Sequence, residues 1–290
     1  MNNYHTSVLL QETIDYLNIS KGREYIDATL GGGGHTIEIL RHGGRVLGID
    51  VDQDALDYVS EKLQGEKDLV LAKGNFKDIA TIAKENGFTQ VAGILFDLGV
   101  SSHHFDVPER GFSVQSEGPL DMRMDMDLTV KAGDLVNILT KGELYELFTK
   151  LGEERFAHTI SNSIVRARKI KRIETTSELV SIISRSVPKK QGEIHPATRV
   201  FQALRIAVND ELNSIREAMP IAVKLLETKG RLAVISFHSL EDRIIKNMFK
   251  EFAEKEFGTI ITKKPVVPSL EEIESNKRSR SSKLRVFEKG

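Results

Sequence analysis

Two kinds of residue could do chemistry in this sequence: a run of glycines, and acids that recur where short apolar segments end. Asp27-Ala28-Thr29-Leu30-Gly31-Gly32-Gly33-Gly34-His35-Thr36 joins an apolar segment to an amphipathic one. Backbone without side chains lets a nucleotide-containing ligand approach closely. Asp50 stands nineteen residues after Gly31, placed to accept hydrogen bonds from two ribose hydroxyls. The pairing of loop and acid is the signal. A merely tight turn is the alternative, but four consecutive glycines carry a large entropic cost if no ligand needs them. A dinucleotide fingerprint would place a third glycine where this chain has Thr36. Asp27 is instead an acid suited to a ligand with a free amino group and a cationic sulfonium. The loop therefore favours S-adenosylmethionine over NAD.

Phe76, in Gly74-Asn75-Phe76, stands where an aromatic face could cover an adenine ring, or could equally be a core residue. Ile94-Leu95-Phe96-Asp97-Leu98-Gly99 ends another apolar run in an acid. Asp97 could accept a hydrogen bond from an exocyclic amine, contact the cofactor, or cap the turn that follows.

These residues need a scaffold. Apolar β-branched runs alternate with amphipathic stretches over the first hundred residues, the pattern of βαβ units in a parallel sheet. Strands are expected near Glu24–Leu30, Arg45–Asp50, Leu69–Ala72 and Val91–Leu98, and helices near His35–His42, Gln53–Leu63 and Lys77–Asn86. From Val107 to about Pro220 helical spacing takes over: Leu144, Leu147, Phe148 and Leu151; Phe156, Ile160 and Ile164; Phe201, Leu204, Val208, Leu212 and Ile215. Thr175-Thr176-Ser177-Glu178 has the form of a capping box. Strand character resumes at Arg231–Ser236, followed by a helix expected to be capped by Ser239, and segments near Thr259–Lys264 and Leu284–Phe287 would complete the sheet as an edge pair. The expected architecture is α/β: a core of residues 1–106 and 221–290, with residues 107–220 as a helical insertion.

The chain has 290 residues, 40% of them hydrophobic, and no cysteine, which removes disulfides, thiolate metal sites and thiol nucleophiles together. No apolar run has the length of a membrane-spanning helix. The N-terminus lacks a basic region followed by an apolar stretch, so a cytoplasmic protein is expected. The formal net charge of -1 means that any nucleic acid must be met by local basic patches. The eight histidines form no metal-ligand pattern, His103-His104 included, and no metal is expected.

Several longer blocks resemble a known family. They are His5-Thr6-Ser7-Val8-Leu9-Leu10, Gly32-Gly33-Gly34-His35, Asp97 to Ser102, Glu109 to Ser113, Gly118 to Asp125, Gly152 to Ala157, His195 to Arg199 with Phe201-Gln202-Ala203, and Ser236 to Arg243. Occurring in order over nearly the whole chain, they are similar to the signature blocks of the bacterial MraW/RsmH family. The resemblance implies a class I Rossmann-like methyltransferase that uses S-adenosylmethionine to form N4-methylcytidine in the decoding centre of small-subunit ribosomal RNA. It also implies cofactor contacts from Gly33, Gly34, His35, Asp50, Phe76 and Asp97. A further contact, usually glutamine, falls on His104; Ser101-Ser102-His103-His104-Phe105-Asp106 departs here from the commoner proline-glutamine form.

The missing cysteine bears on that chemistry. Methylation at a cytosine ring carbon normally uses a thiolate to attack the base, whereas an exocyclic amine can attack a sulfonium methyl directly. Alignment and proton removal are then the protein's contributions, and Asp97 is the candidate catalytic residue, for amine alignment or for cofactor placement. The target base must be unpaired or extruded. Arg166, Arg168, Lys169, Lys171 and Arg172, and Lys277, Arg278, Arg280, Lys283 and Arg285, could meet phosphate or form solvated faces. His238 and Glu241 fit either the border of a base pocket or a helix cap. Arg205 could pair with Asp210 or Glu211, His195 and Arg199 are open in the same way, and Asp121, Arg123 and Asp125 suggest a salt-bridged loop as readily as a substrate contact. The expected partner is small-subunit ribosomal RNA or the assembled subunit, with a homodimer left open. Two rivals are an NAD-dependent oxidoreductase and a noncatalytic RNA-binding factor that keeps the fold.

Overall fold

The computed structural model describes residues 7–188 and 195–290; His5 and Thr6 of the first family block, and the rest of the N-terminal segment read above, lie outside the described residues. The chain forms two compact units, residues 1–101 with 212–290, and residues 102–211.

In the first unit the chain runs α1 (Leu10–Leu17), β1 (Glu24–Asp27), α2 (Gly34–Arg41), β2 (Arg45–Asp50), α3 (Gln53–Lys62), β3 (Leu69–Lys73), α4 (Ile79–Glu85) and β4 (Val91–Asp97). The second unit carries α5 (Ser102–Asp106), α6 (Ala132–Ile138), α7 (Lys141–Lys150), α8 (Ala157–Arg168), α9 (Thr176–Ser186) and α10 (Ala197–Asn209). The first unit then resumes with α11 (Glu211–Leu225), β5 (Leu226–Ser236), α12 (Ser239–Glu254), β6 (Gly258–Ile260), α13 (Leu270–Ser275) and β7 (Lys283–Lys289).

The seven strands form one sheet in the order β3-β2-β1-β4-β5-β7-β6. β1 to β5 are parallel, and β7 is antiparallel to both β5 and β6. This is the Rossmann-like α/β class expected, with the last two strands paired at one edge: reversed β7 lies one place in, and β6 is the edge. β4, Val-Ala-Gly-Ile-Leu-Phe-Asp, is buried along nearly its whole length, as a continuous apolar run should be in a parallel sheet covered on both faces. Strand order reverses between β1 and β4, the switch point at whose carboxyl edge open α/β sheets bind ligands.

Local chemistry explains where the elements depart from the sequence pattern. β1 ends at Asp27, short of Leu30, because Asp27 Oδ1 accepts from Thr29 N at 3.3 Å and turns the chain; Ala28 N still reaches Leu95 O and Leu30 N still reaches Ile49 O, each at 2.9 Å. β6 stops at Ile260, short of Lys264, since Thr262 Oγ1 takes the Val286 amide at 2.8 Å. A short 3-10 turn, Phe76–Asp78, occupies the expected first turn of α4, with Asn75 Oδ1 accepting from Lys77 N. The apolar spacing from Phe201 to Ile215 spans two helices, broken at Asp210, whose φ of 50° is left-handed. The α12 cap is His238 rather than Ser239: its side chain accepts from Glu241 N, and the Glu241 carboxylate returns to the amides of Phe237 and His238.

In the second unit, Thr175 and Glu178 form the expected capping box of α9. The helices bury Leu144, Phe148, Ile160, Ile164, Leu179, Ile183, Val200 and Leu204 against one another. Among the described residues, no helix is long and apolar enough to cross a membrane.

Candidate functional site

The carboxyl ends of β1, β2 and β4 each finish in an acid, and the glycine loop crosses the same edge. Gly31 and Gly33 have φ of +48° and +72°, left-handed values that a side chain would strain. A Cβ on Gly33 would lie 2.9 Å from Val59 Cγ2, and one on Gly34 only 2.0 Å from Ser7 Oγ. The loop can therefore pass this close to α3 and to Ser7 only as bare backbone.

The acids shape the loop. Asp50 Oδ2 accepts from Gly31 N at 2.8 Å and its Oδ1 from Asp52 N at 2.9 Å, tying the end of β2 to the first loop glycine. Asp27 Oδ2 accepts from the Thr36 hydroxyl at 2.7 Å. Thr29 Oγ1 accepts from Asp97 N at 2.6 Å, joining the ends of β1 and β4. Both threonines escaped the sequence reading, where Thr36 registered only as a missing glycine. Their signal was a hydroxyl two residues and a hydroxyl nine residues beyond a buried acid.

Burial pushes the Asp27 carboxyl up to about 6, against opposing hydrogen bonds from Thr36 and Thr29. Burial likewise raises Asp50 to about 6, with the negative charges of Asp52 and Asp27 adding to it and two backbone amides opposing. Asp97 reaches about 7, through burial first and then the charges of Asp27 and Glu241, offset in part by a hydrogen bond from the Gly99 amide. Among the described residues, no lysine or arginine forms an ion pair with any of the three. Asp97 Oδ1 is buried without a hydrogen-bond partner among the described residues. Such an edge is suited to a ligand that brings positive charge.

His35, buried on α2, has Nε2 at 3.2 Å from Val8 O and Nδ1 at 3.8 Å from Asp97 Oδ2. Phe76 follows β3, half-buried, its ring edge-on to Phe96 with centroids 5.5 Å apart. It is therefore not fully enclosed core. The first unit thus gathers Gly33, Gly34, His35, Asp50 and Asp97 around one loop and strand edge, with Phe76 at the end of the neighbouring strand. His104 belongs to the second unit, buried on α5 with its ring 4.9 Å from that of Phe112.

Other candidates resolve into structure. His238 caps α12; its Nε2 lies 3.0 Å from Glu241 Oε1 without hydrogen-bond geometry. Arg205 makes a two-pronged pair with Glu211, both contacts 2.8 Å. Asp121 holds Arg123 at 2.7 Å and Lys131 at 3.1 Å, the salt-bridged loop. Arg199 donates to Glu153 O, and His195 Nδ1 accepts from Ala197 N. Lys283 and Arg285 both pair with Asp242 on α12.

A family model for the MraW methylases matches residues 2–290 of the 290-residue chain. The chain belongs to the MraW methylase family. Among curated relatives, this MraW-family chain is 47% identical over 303 residues to the ribosomal RNA small subunit methyltransferase H of Carboxydothermus hydrogenoformans, covering 98% of this chain and 97% of that one. It is 45% identical over 308 residues to the protein of the same name from Brevibacillus brevis, covering 99% and 98%. A third, from a Sulfurihydrogenibium species, is 47% identical over 287 residues and covers 97% and 98%. The MraW-family chain is thus a methyltransferase, with the Rossmann-like sheet in its first unit.

Proposed function

We propose that this methyltransferase uses S-adenosylmethionine to methylate N4 of a cytidine in small-subunit ribosomal RNA. The observation that carries the reading is the set of acids, buried Asp27 and Asp97 and half-buried Asp50, at one sheet edge beside a glycine loop, with no lysine or arginine paired to them among the described residues. A pyrophosphate would add negative charge to that edge, whereas a donor carrying an ammonium and a sulfonium relieves it. The residues fit such a donor: Asp50 would hold the ribose hydroxyls, Phe76 the adenine face, and the loop from Asp27 to His35 the amino-acid end. Bound there, the donor supplies an electrophilic methyl group on a cationic sulfur.

The choice of N4 is what the resemblance to the MraW/RsmH family implies, and the chain's own side chains support it against the ring carbon. With no cysteine anywhere in the sequence, the thiolate route to the ring carbon is closed. The exocyclic amine needs alignment and a nearby acceptor for its proton, and the buried carboxylate of Asp97 offers an oxygen for either task. The ribosomal RNA of the small subunit is the substrate that the names of the relatives carry.

RNA recognition is assigned to the helical unit, within the segment 107–220. Of its basic cluster, Arg168 donates to Val136 O, Lys171 pairs with Glu178 and Arg172 with Asp134. Arg166 and Lys169 are exposed and have no ion-pair partner among the described residues, which leaves them for phosphate. The test is transfer of labelled methyl to small subunits lacking the modification, read by nucleoside mass spectrometry. Labelled N4-methylcytidine is expected; labelled 5-methylcytidine, or donor binding with no labelled nucleoside, overturns the proposal.

A further inference from the structure

We infer that His35 and Asp97 form one proton-holding pair, in which Asp97 is the group that meets the amine and His35 is the positioning residue that orients it and shares its proton. The inference rests on the methyl-transfer reading above and deepens it by naming the proton acceptor.

The geometry divides the work among four atoms. A carbonyl has no proton to give, so the contact of His35 Nε2 with Val8 O at 3.2 Å requires the ring to donate from Nε2. In neutral His35 the proton is then on Nε2 rather than Nδ1, and Nδ1 lies 3.8 Å from Asp97 Oδ2. Contacts of this kind are commonly long before substrate binds and tighten in the reacting complex. The other oxygen, Oδ1, is buried and has no hydrogen-bond partner among the described residues. One oxygen is thus backed by a base, and the other is left for a ligand.

The surroundings make the pair retain a proton near neutrality. Asp27 from β1 and Glu241 from α12 bring negative charge to Asp97, and His35 from α2 is the one basic group paired with it among the described residues. Burial raises Asp97 to about 7, within reach of imidazole. A proton arriving on Asp97 can therefore reside on either partner, as carboxylic acid beside imidazole or as carboxylate beside imidazolium.

The step balances. The amine lone pair forms the new N–C bond, and sulfur keeps the electron pair of the broken S–C bond. The N–H electron pair returns to nitrogen, and that proton passes to Asp97. The loss of positive charge at sulfur raises the proton affinity of the pair in the same step, so the pair is a better base when the proton arrives than before. The proton later leaves to water.

The test combines a spectroscopic readout with kinetics. In 15N-histidine NMR of the ligand-free wild type, the His35 signal, assigned by its absence in H35Q, should show the Nε2–H tautomer at high pH. In D97N its midpoint should fall by about one pH unit, since removing a neighbouring carboxylate disfavours imidazolium. The kinetic arm uses H35Q, whose amide can still donate to Val8 O but offers no titrating nitrogen. With donor held at saturation, its kcat should fall about 10- to 100-fold, and the acidic limb of the pH profile should move to lower pH. A His35 midpoint indifferent to D97N, an Nδ1–H tautomer, or an H35Q enzyme with the wild-type profile would each overturn the pair. A wild type that forms no N4-methylcytidine would overturn the proposed function instead, and the NMR arm would still decide the pair.

Discussion

Asp97 and Asp121 are both buried acids, one at the sheet edge of the first unit and one in a loop of the second, yet they meet opposite surroundings. Burial alone would raise both. At Asp121 hydrogen bonds from Arg123 and Lys131 overcome it and hold the carboxyl below the usual range. At Asp97 the neighbouring charges are acids, and the carboxyl rises to about 7. Asp242 with Lys283 and Arg285 follows the Asp121 pattern; Asp27 and Asp50 follow Asp97. An acid neutralised from within the chain is architecture, whereas acids with no lysine or arginine paired to them among the described residues are, on the proposed reading, the place for a cation from outside.

That contrast can be broken by substitution. Asp97→Asn should lower the rate of methyl transfer about 10²- to 10⁴-fold, the range for a lost general base. Asp121→Asn should leave the rate per folded molecule unchanged and lower stability by about 1–3 kcal/mol, as expected when buried charged donors lose their acceptor. Rates and denaturant midpoints measured on both variants would invert the comparison if Asp121→Asn lost transfer and kept its stability. Asp50→Ala should weaken donor binding about 10- to 100-fold while the fold persists, from lost hydrogen bonds to a charged acceptor. Equal affinities by titration calorimetry would remove Asp50 from the site.

Smaller effects sharpen the contrast. Replacing Arg166 and Lys169 together by alanine should weaken RNA binding and reduce the salt-dependence slope by about one per residue removed. Replacing Lys171 and Arg172, which are already paired with Glu178 and Asp134, should change the slope much less. Equal slopes for the two double variants would count against the division. Ligand-free stability should also respond to pH. Asp27, Asp50 and Asp97 bind protons more tightly folded, at about 6, 6 and 7, than their ordinary value of 3.8. Between about pH 4 and 7 the native state therefore holds more protons than the unfolded one, and stability falls as pH rises. A thermal midpoint that rose over this window in the ligand-free protein but not in a triple Asn variant would contradict the assignment.

The sheet edge was legible because its signals are local. A glycine run after an apolar segment and an acid at the end of each strand pattern place Gly33, Gly34, His35, Asp50 and Asp97 at one edge once the parallel sheet is accepted. What each basic residue does was not legible, since Arg168, Lys171 and Arg172 are held by Val136, Glu178 and Asp134, partners distant in sequence or set by helix packing. The α12 cap was misread by one residue because serine is the commoner cap, whereas here His238 supplies the accepting atom and Glu241 completes the box. The two-helix break at Asp210 hid within an unbroken apolar spacing, as the left-handed turn costs only one residue of the pattern.

The central claim, that the acids of the sheet edge receive a cationic donor, is tested most directly by proton release on binding. Calorimetric titration of S-adenosylmethionine near pH 6.5, in two buffers of different ionisation enthalpy, counts the protons exchanged. The account predicts net release that is smaller for S-adenosylhomocysteine, which lacks the sulfonium, and diminishes above pH 8. No release, or proton uptake with both ligands, would contradict it.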